Sequence, residues 1–219
     1  MLRWCVAGLL TTAVVVAVRW SVHRVDAIGR ARGFPVVSVV LLVVPACVLA
    51  VPVWRHDRLE GRLGAAATVL VGHRVEVHCH TAGEEFVHVG AELGSVRFDE
   101  DGVPERRTTL VRRTCDALQS YLDGRGTRPA PEQVVAVHVL SHEARHLAGT
   151  TDEAHAECEA VQRDAAAARA LGATAQDAHR LARLYWAVDY PGLPDAYRSG
   201  SCGPGGSWDE HLPDPPWAR

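Results

Sequence analysis

Two long apolar runs open the chain, and the remainder alternates in shorter periods. Phe34 to Trp54 is 21 residues without a charge, enough for a helix to cross a hydrocarbon core. Pro45 and Pro52 would kink such a helix, which a membrane span tolerates better than a soluble one. Trp4 to Val18 is a shorter apolar run closed by Arg19-Trp20. It reads as a second spanning helix. A signal peptide is the alternative, but no small-x-small cleavage site stands clearly at its end. Trp4, Trp20 and Trp54 fall where interfacial aromatics belong.

Residues 55–65 are polar, with Arg and Gly, and read as a linker into a soluble domain over 66–219. Ala66 to His80 is Val-rich and alternates at Val75, Val77 and Cys79, a strand pattern. Phe86–Val89 and Ser95–Phe98 continue as short strands between glycines. Pro104 would open a helix to about Leu122, with Leu110, Val111, Cys115 and Leu118 on one face. Pro131 starts the next helix, carrying Val134, Val135, Val137 and Leu140, and Gly149 suits the left-handed position that ends it. Further helices are expected over 151–171 and 174–188, followed by a Pro-, Gly- and Trp-rich tail. The fold class is therefore α+β: two membrane helices, then a small domain of short strands followed by about four helices.

Charge and cysteines orient this plan. The segment between the spans holds Arg19, Arg24, Arg30 and Arg32 against one acid, Asp26. The positive-inside rule puts it in the cytoplasm and the C-terminal domain outside the cell membrane. Cys5 and Cys47 lie in the spans, leaving Cys79, Cys115, Cys158 and Cys202, an even set suited to two disulfides in an oxidising compartment. Of three possible pairings, Cys79–Cys115 would join the strands to the first soluble helix, and Cys158–Cys202 would tie down the tail. The alternative is four buried thiols in the cytosol. A net charge of −3 with dispersed arginines argues against a nucleic-acid partner. The absence of Lys and Asn, with Ile28 the only isoleucine, reflects genome composition and says nothing of activity.

The sharpest chemistry is His142-Glu143-Ala144-Arg145-His146, written on a segment that reads as helix. Residues four apart share a helix face, so His142 and His146 can aim both imidazoles at one metal ion. Glu143 is placed to hold and deprotonate a metal-bound water. A tetrahedral Zn2+ site needs a third protein ligand, and Asp152, Glu153, His155 and Glu157 follow closely.

This segment resembles the zincin metallopeptidases. In their Glu-liganded branch, the gluzincins, the third ligand comes from a second helix, with an acid four residues later. The resemblance would make Glu153 the ligand and Glu157 the acid that orients a ligand. The connection from His146 to Glu153 is short for that branch and closer to metzincin spacing, in which Asp152 would fill the ligand slot. The segment is also similar to that of small membrane-anchored actinobacterial proteins with HExxH, an acid pair and a cysteine. The resemblance spans residues 134–162 and implies zinc-dependent hydrolysis of a peptide or protein, with no substrate specified. Tyr185, Tyr190 and Tyr197 are candidates by type for stabilising an oxyanion.

Each residue also has a plainer role. Thr150 and Glu153 have the spacing of a capping box, Asp152 suits a helix start, and Glu157 could be a solvated acid. His138, one turn before His142, is expected to be packed or hydrogen-bonded, and His155 to lie at the surface. His78 and His80 flank Cys79 in a strand and are expected to be ordinary neighbours of a disulfide. Two other readings stand beside hydrolysis: a membrane-anchored zinc-binding or interaction module without turnover, and a structural membrane protein with a fortuitous motif.

Overall fold

The computed structural model describes residues 2–25, 29–85 and 93–217. The chain divides into two compact units, Met1–Arg58 and Leu59–Arg219.

The first unit contains α1 (Leu2–Val22) and the apolar half of α2 (Val36–Val71). Both helices are long and apolar enough to cross a membrane. Their large side chains lie largely bare, among them Trp4, Val14, Val37, Leu41 and Trp54, as a lipid-facing surface requires. α2 does not end at Trp54. The expected linker over 55–65 and the start of the expected strand at Ala66 are instead helix to Val71. The physical reason lies in the burial pattern. Leu59, Leu63, Ala66 and Ala67 recur at helical spacing and are all buried. The Ala-rich stretch carries high helix propensity. Gly72, at φ +85°, then turns the chain.

Among the described residues, three strands form a sheet in the second unit: β1 (Glu76–Cys79), β2 (Gly94–Phe98) and β3 (Pro104–Leu110), in the order β1-β3-β2. β1 runs parallel to β3 with Val77 opposite Thr108, and β2 runs antiparallel with Ser95 opposite Thr109. Between β1 and β2 lies the single turn of helix α3 (Ala82–Glu85). The strand expected at Phe86–Val89 falls outside the described residues. Pro104–Leu110 corrects the expected helix. Thr108 and Leu110 are buried and alternate with the less buried Thr109, a period of two, and the β-branched pair suits a strand paired on both sides. The helical pattern belongs only to α4 (Arg112–Asp123), where Cys115, Leu118 and Leu122 are buried.

At the centre stands α5 (Pro131–Leu147), buried at every residue from Ala136 to Leu147. It packs against β2, β3 and α4, and against the helices that follow. Pro131 occupies its first turn, as expected. Gly149, at φ +106°, takes the left-handed conformation after its end. The single helix expected over 151–171 is two, α6 (Glu153–Val161) and α7 (Asp164–Ala170). The break falls at Gln162-Arg163, where the Gln162 amide bonds the carbonyls of Cys158 and Trp208 and accepts from the Glu210 N–H. α8 (Ala175–Leu184) begins on a Thr174 cap and runs into a π-helical turn over Tyr185–Asp189. Cys79 is bonded to Cys115 and Cys158 to Cys202, with Cα separations of 6.0 and 5.6 Å. The second bridge, with an Arg163–Glu210 ion pair, holds the tail against α6.

Candidate metal centre

The two histidines of the motif sit one turn apart on α5 and meet at their Nε2 atoms, 3.0 Å apart. Their other nitrogens fix the tautomers. His146 Nδ1 lies 2.7 Å from the Thr150 carbonyl, which can only accept, so it is the protonated nitrogen. His142 Nδ1 donates to Glu157 Oε2 at 3.0 Å. Both Nε2 lone pairs therefore face one another. The Glu153 carboxylate, from the first turn of α6, closes the group, with Oε2 3.1 Å from His142 Nε2 and 3.4 Å from His146 Nε2. Two lone pairs and an anion this close repel unless a cation lies among them. A tetrahedral ion with bonds of about 2.0–2.1 Å would hold its donor atoms about 3.3 Å apart, close to these separations. The group could hold a metal ion.

Without metal, protons serve that purpose. Burial would push the His142 ring down, but its hydrogen bonds to Glu153 and Glu157 outweigh this and raise it to about 9. His146 is raised in the same way, against burial, by Glu153. Hydrogen bonds from both rings hold Glu153 down at about 2.

Asp152 does not join this group. It caps α6, its Oδ1 accepting from the His155 N–H at 2.8 Å. Thr150 forms no capping box with Glu153, because its hydroxyl bonds Glu159 instead. The chain thus delivers the longer carboxylate to the imidazoles and spends the shorter one on the helix start. His155 is half-buried and lies 4.8 Å from the Trp208 ring, centre to centre.

A second ring of charge lies behind the first. Glu157 accepts from His142 Nδ1, from His138 Nε2 at 2.9 Å and from the Tyr185 hydroxyl at 2.8 Å. His138 Nδ1 meets both Asp164 oxygens at 3.0–3.1 Å. Burial alone would leave His138 neutral, but Asp164 and Glu157 outweigh it and raise the ring to about 10. Burial likewise works to raise Glu157, and the two imidazoles overcome it, holding that carboxyl well below the usual range. His138, His142 and Glu157 are also close enough to be considered as a metal group. The hydrogen bonding argues otherwise, since a doubly protonated His138 has no lone pair to offer and His142 Nδ1 is already a donor.

Glu143 is buried, with 4 % of its surface exposed. Burial raises its carboxyl to about 7, against the pull of His142 and His146. Thr108 Oγ, which donates to the Ser95 carbonyl at 3.0 Å, stands 3.4 Å from Glu143 Oε2. On its other side Glu143 presses against Gly94, where an added Cβ would lie 2.7 Å from Oε1. Glycine at the start of β2 is what lets the carboxylate fit.

Several of these partners escaped the sequence reading. Asp164, Thr108 and Gly94 carry no local signature, because each reaches the site from a distant element. Tyr185 was named only by type. It engages Glu157 and stacks on His138 with ring centres 3.6 Å apart. Tyr190 stacks on Trp186, and the Tyr197 ring lies 6.1 Å from that of His142, centre to centre. Arg145, inside the motif, is structural: its guanidinium donates to the Leu70 carbonyl near the end of α2. His78 contacts Glu60 and Glu84, away from the His142–His146 group. Comparisons with known protein families, with curated proteins and with solved structures found no match.

Proposed function

We propose that the chain is a membrane-anchored zinc-dependent hydrolase, acting on peptide or protein substrates, with His142, His146 and Glu153 as ligands. The observation that carries this reading is the convergence of both Nε2 atoms with Glu153 Oε2, in a motif where Glu143 directly follows His142 on α5. When bound, zinc would supply a Lewis acid that activates water at neutral pH and polarises a scissile carbonyl. Glu143 accepts the proton of the attacking water and returns it to the leaving amine. Glu157 holds His142 in the tautomer that presents Nε2, and the Thr150 carbonyl does the same for His146. The Glu153 side chain is 46 % exposed, which makes its side of the group the approach for substrate. Two disulfides support placement of the domain in an oxidising, extracytoplasmic compartment.

The near-complete burial of Glu143 favours a second reading, a membrane-anchored zinc-binding module without turnover. Metal analysis and hydrolysis of denatured fluorescent casein by the full chain separate the two. For the first reading, Glu143→Gln keeps zinc and loses roughly a hundredfold or more in rate. Hydrolysis by Glu143→Gln at the wild-type rate overturns the assigned mechanism. Zinc content without hydrolysis in the wild type supports the second reading.

A further inference from the structure

On either side of residues 26–28, the chain between α1 and α2 is tied by hydrogen bonds. The Arg32 N–H donates to the Arg24 carbonyl at 2.8 Å, and Val25 bridges Ala31. Trp20 Nε1 donates to the Arg32 carbonyl at 3.1 Å, and its ring meets Phe34 edge-on at 4.9 Å. The Arg24 guanidinium lies 5.4 Å from the Trp20 ring centre. These contacts hold open a cleft of about 380 Å³ lined by Val16, Arg19, Trp20, His23, Arg32 and Pro35, within the size range of small-ligand sites.

Its chemistry is one-sided. α1 ends here with the negative pole of its dipole and α2 begins here with its positive pole, so the two largely offset one another. The field is then set by side chains. Arg19 and Arg32 line the cleft, and among the described residues no acid lies within ion-pair distance of either or of His23. Among the described residues no carboxylate lines it. Guanidinium groups fit phosphate oxygens in a bidentate manner. Among the described residues of the cleft a quaternary ammonium would find no counter-charge. Val16 and Pro35 give the cleft an apolar floor, and the helices leading from it expose Val14, Val15, Val37 and Val40, a path for acyl chains.

We propose that this cleft binds the phosphate of an anionic phospholipid headgroup, held by Arg19 and Arg32 with Trp20 and His23 at its rim. The proposal goes beyond the hydrolase reading and is independent of it. It rests on α1 and α2 lying in a bilayer. Basic clefts between spanning helices are suited to such headgroups, and each arginine near the surface contributes about fivefold in affinity for an anionic lipid.

The test uses the full chain, delipidated in detergent, with native mass spectrometry to count bound lipid. Short-chain phosphatidylglycerol and phosphatidylcholine compete at equal concentration, with inorganic phosphate as a third arm. The wild type should retain one phosphatidylglycerol with at least tenfold preference. Arg19→Gln/Arg32→Gln should lower that affinity about 25-fold, while Arg55→Gln/Arg58→Gln, outside the cleft, should leave it unchanged. Equal retention of both lipids overturns the proposal, as does an equal loss in the two double variants, which would signify general charge attraction. Displacement by equimolar inorganic phosphate assigns the cleft to the free ion and overturns the lipid as its occupant. Flotation with vesicles checks the underlying premise. A chain that floats with neither lipid composition removes the bilayer reading, and this proposal with it, without touching the metal centre.

Discussion

Glu157→Gln would perturb the proposed metal centre without altering a proposed ligand. Glu157 accepts three hydrogen bonds, from His142, His138 and Tyr185. Glutamine keeps the volume and one acceptor oxygen but loses the charge. Its oxygen can still receive the His142 Nδ1 proton, so the tautomer survives, while the basicity that a carboxylate lends to Nε2 is lost. Removing such an outer partner typically costs a metal site 10–100-fold in affinity, or about 1.4–2.8 kcal/mol. His138 is left with Asp164 as its one carboxylate, so the metal-free fold should weaken by roughly 1–3 kcal/mol, as expected for a disrupted buried hydrogen bond to a charged group. Competition against a zinc-chelating indicator at pH 7.5 measures the first effect, and thermal melting of the metal-free protein measures the second. Tyr185→Phe removes one donor and leaves the charge, so its affinity should fall only severalfold. A Glu157→Gln affinity within twofold of wild type would show that His142 is oriented by its backbone and packing alone, and would refute the role given to Glu157.

Three further outcomes follow from the same geometry. Asp152→Ala should keep metal and lose about 1 kcal/mol of stability as a missing helix cap, whereas Glu153→Ala should lose metal while still folding; retention of metal by Glu153→Ala in a chelator titration would remove it from the ligand set. A reporter active only in the cytosol, fused after Arg219, should be silent, and bright signal would place the disulfide-bearing domain on the wrong side. His138 is raised from 6.5 to about 10, so the folded state keeps a proton that the unfolded chain releases above pH 6.5. That contribution is complete below pH 6.5 and is lost as pH rises through 10, a slope of about 1.4 kcal/mol per pH unit between those limits. The metal-free wild type should therefore show a steeper loss of melting temperature over pH 7–9.5 than His138→Gln, and equal slopes would mean that His138 is not protonated in the fold.

What could be read from the sequence was whatever local periodicity or spacing encodes. The two apolar runs, Pro131 at a helix start, Gly149 at a helix end and the i, i+4 histidines are each set within a few residues. Errors arose where a local pattern has two solutions and tertiary contacts choose between them. The apolar spacing of Leu110, Val111, Cys115 and Leu118 suggested a helix from Pro104, but pairing of β3 with both β1 and β2 holds 104–110 extended. Residues 55–65 looked polar enough for a linker because Arg and Glu outnumber the apolar side chains. The two that matter, Leu59 and Leu63, are spaced for one helix face and continue α2 into the second unit.

The candidate metal centre divides along the same line. Glu153 could be weighed against Asp152 from the sequence, since both follow Gly149 closely and only side-chain length and the acid at Glu157 distinguish them. The deciding contact is the bond from the His155 N–H to Asp152, which engages the nearer acid as a cap and turns Glu153 towards the imidazoles. What surrounds that core depends on groups that no spacing links to the motif. Asp164 reaches His138 because α6 breaks at Gln162, and Tyr185 reaches Glu157 where α8 widens into a π-helical turn. Gly94 makes room for Glu143 from a strand. A buried carboxylate such as Glu157 must find partners wherever the fold offers them, because an unpaired charge there costs more than almost any local preference can return. The outer ring of the site is therefore a property of the packed domain, while the inner ring of two histidines and an acid belongs to one helix and the first turn of the next.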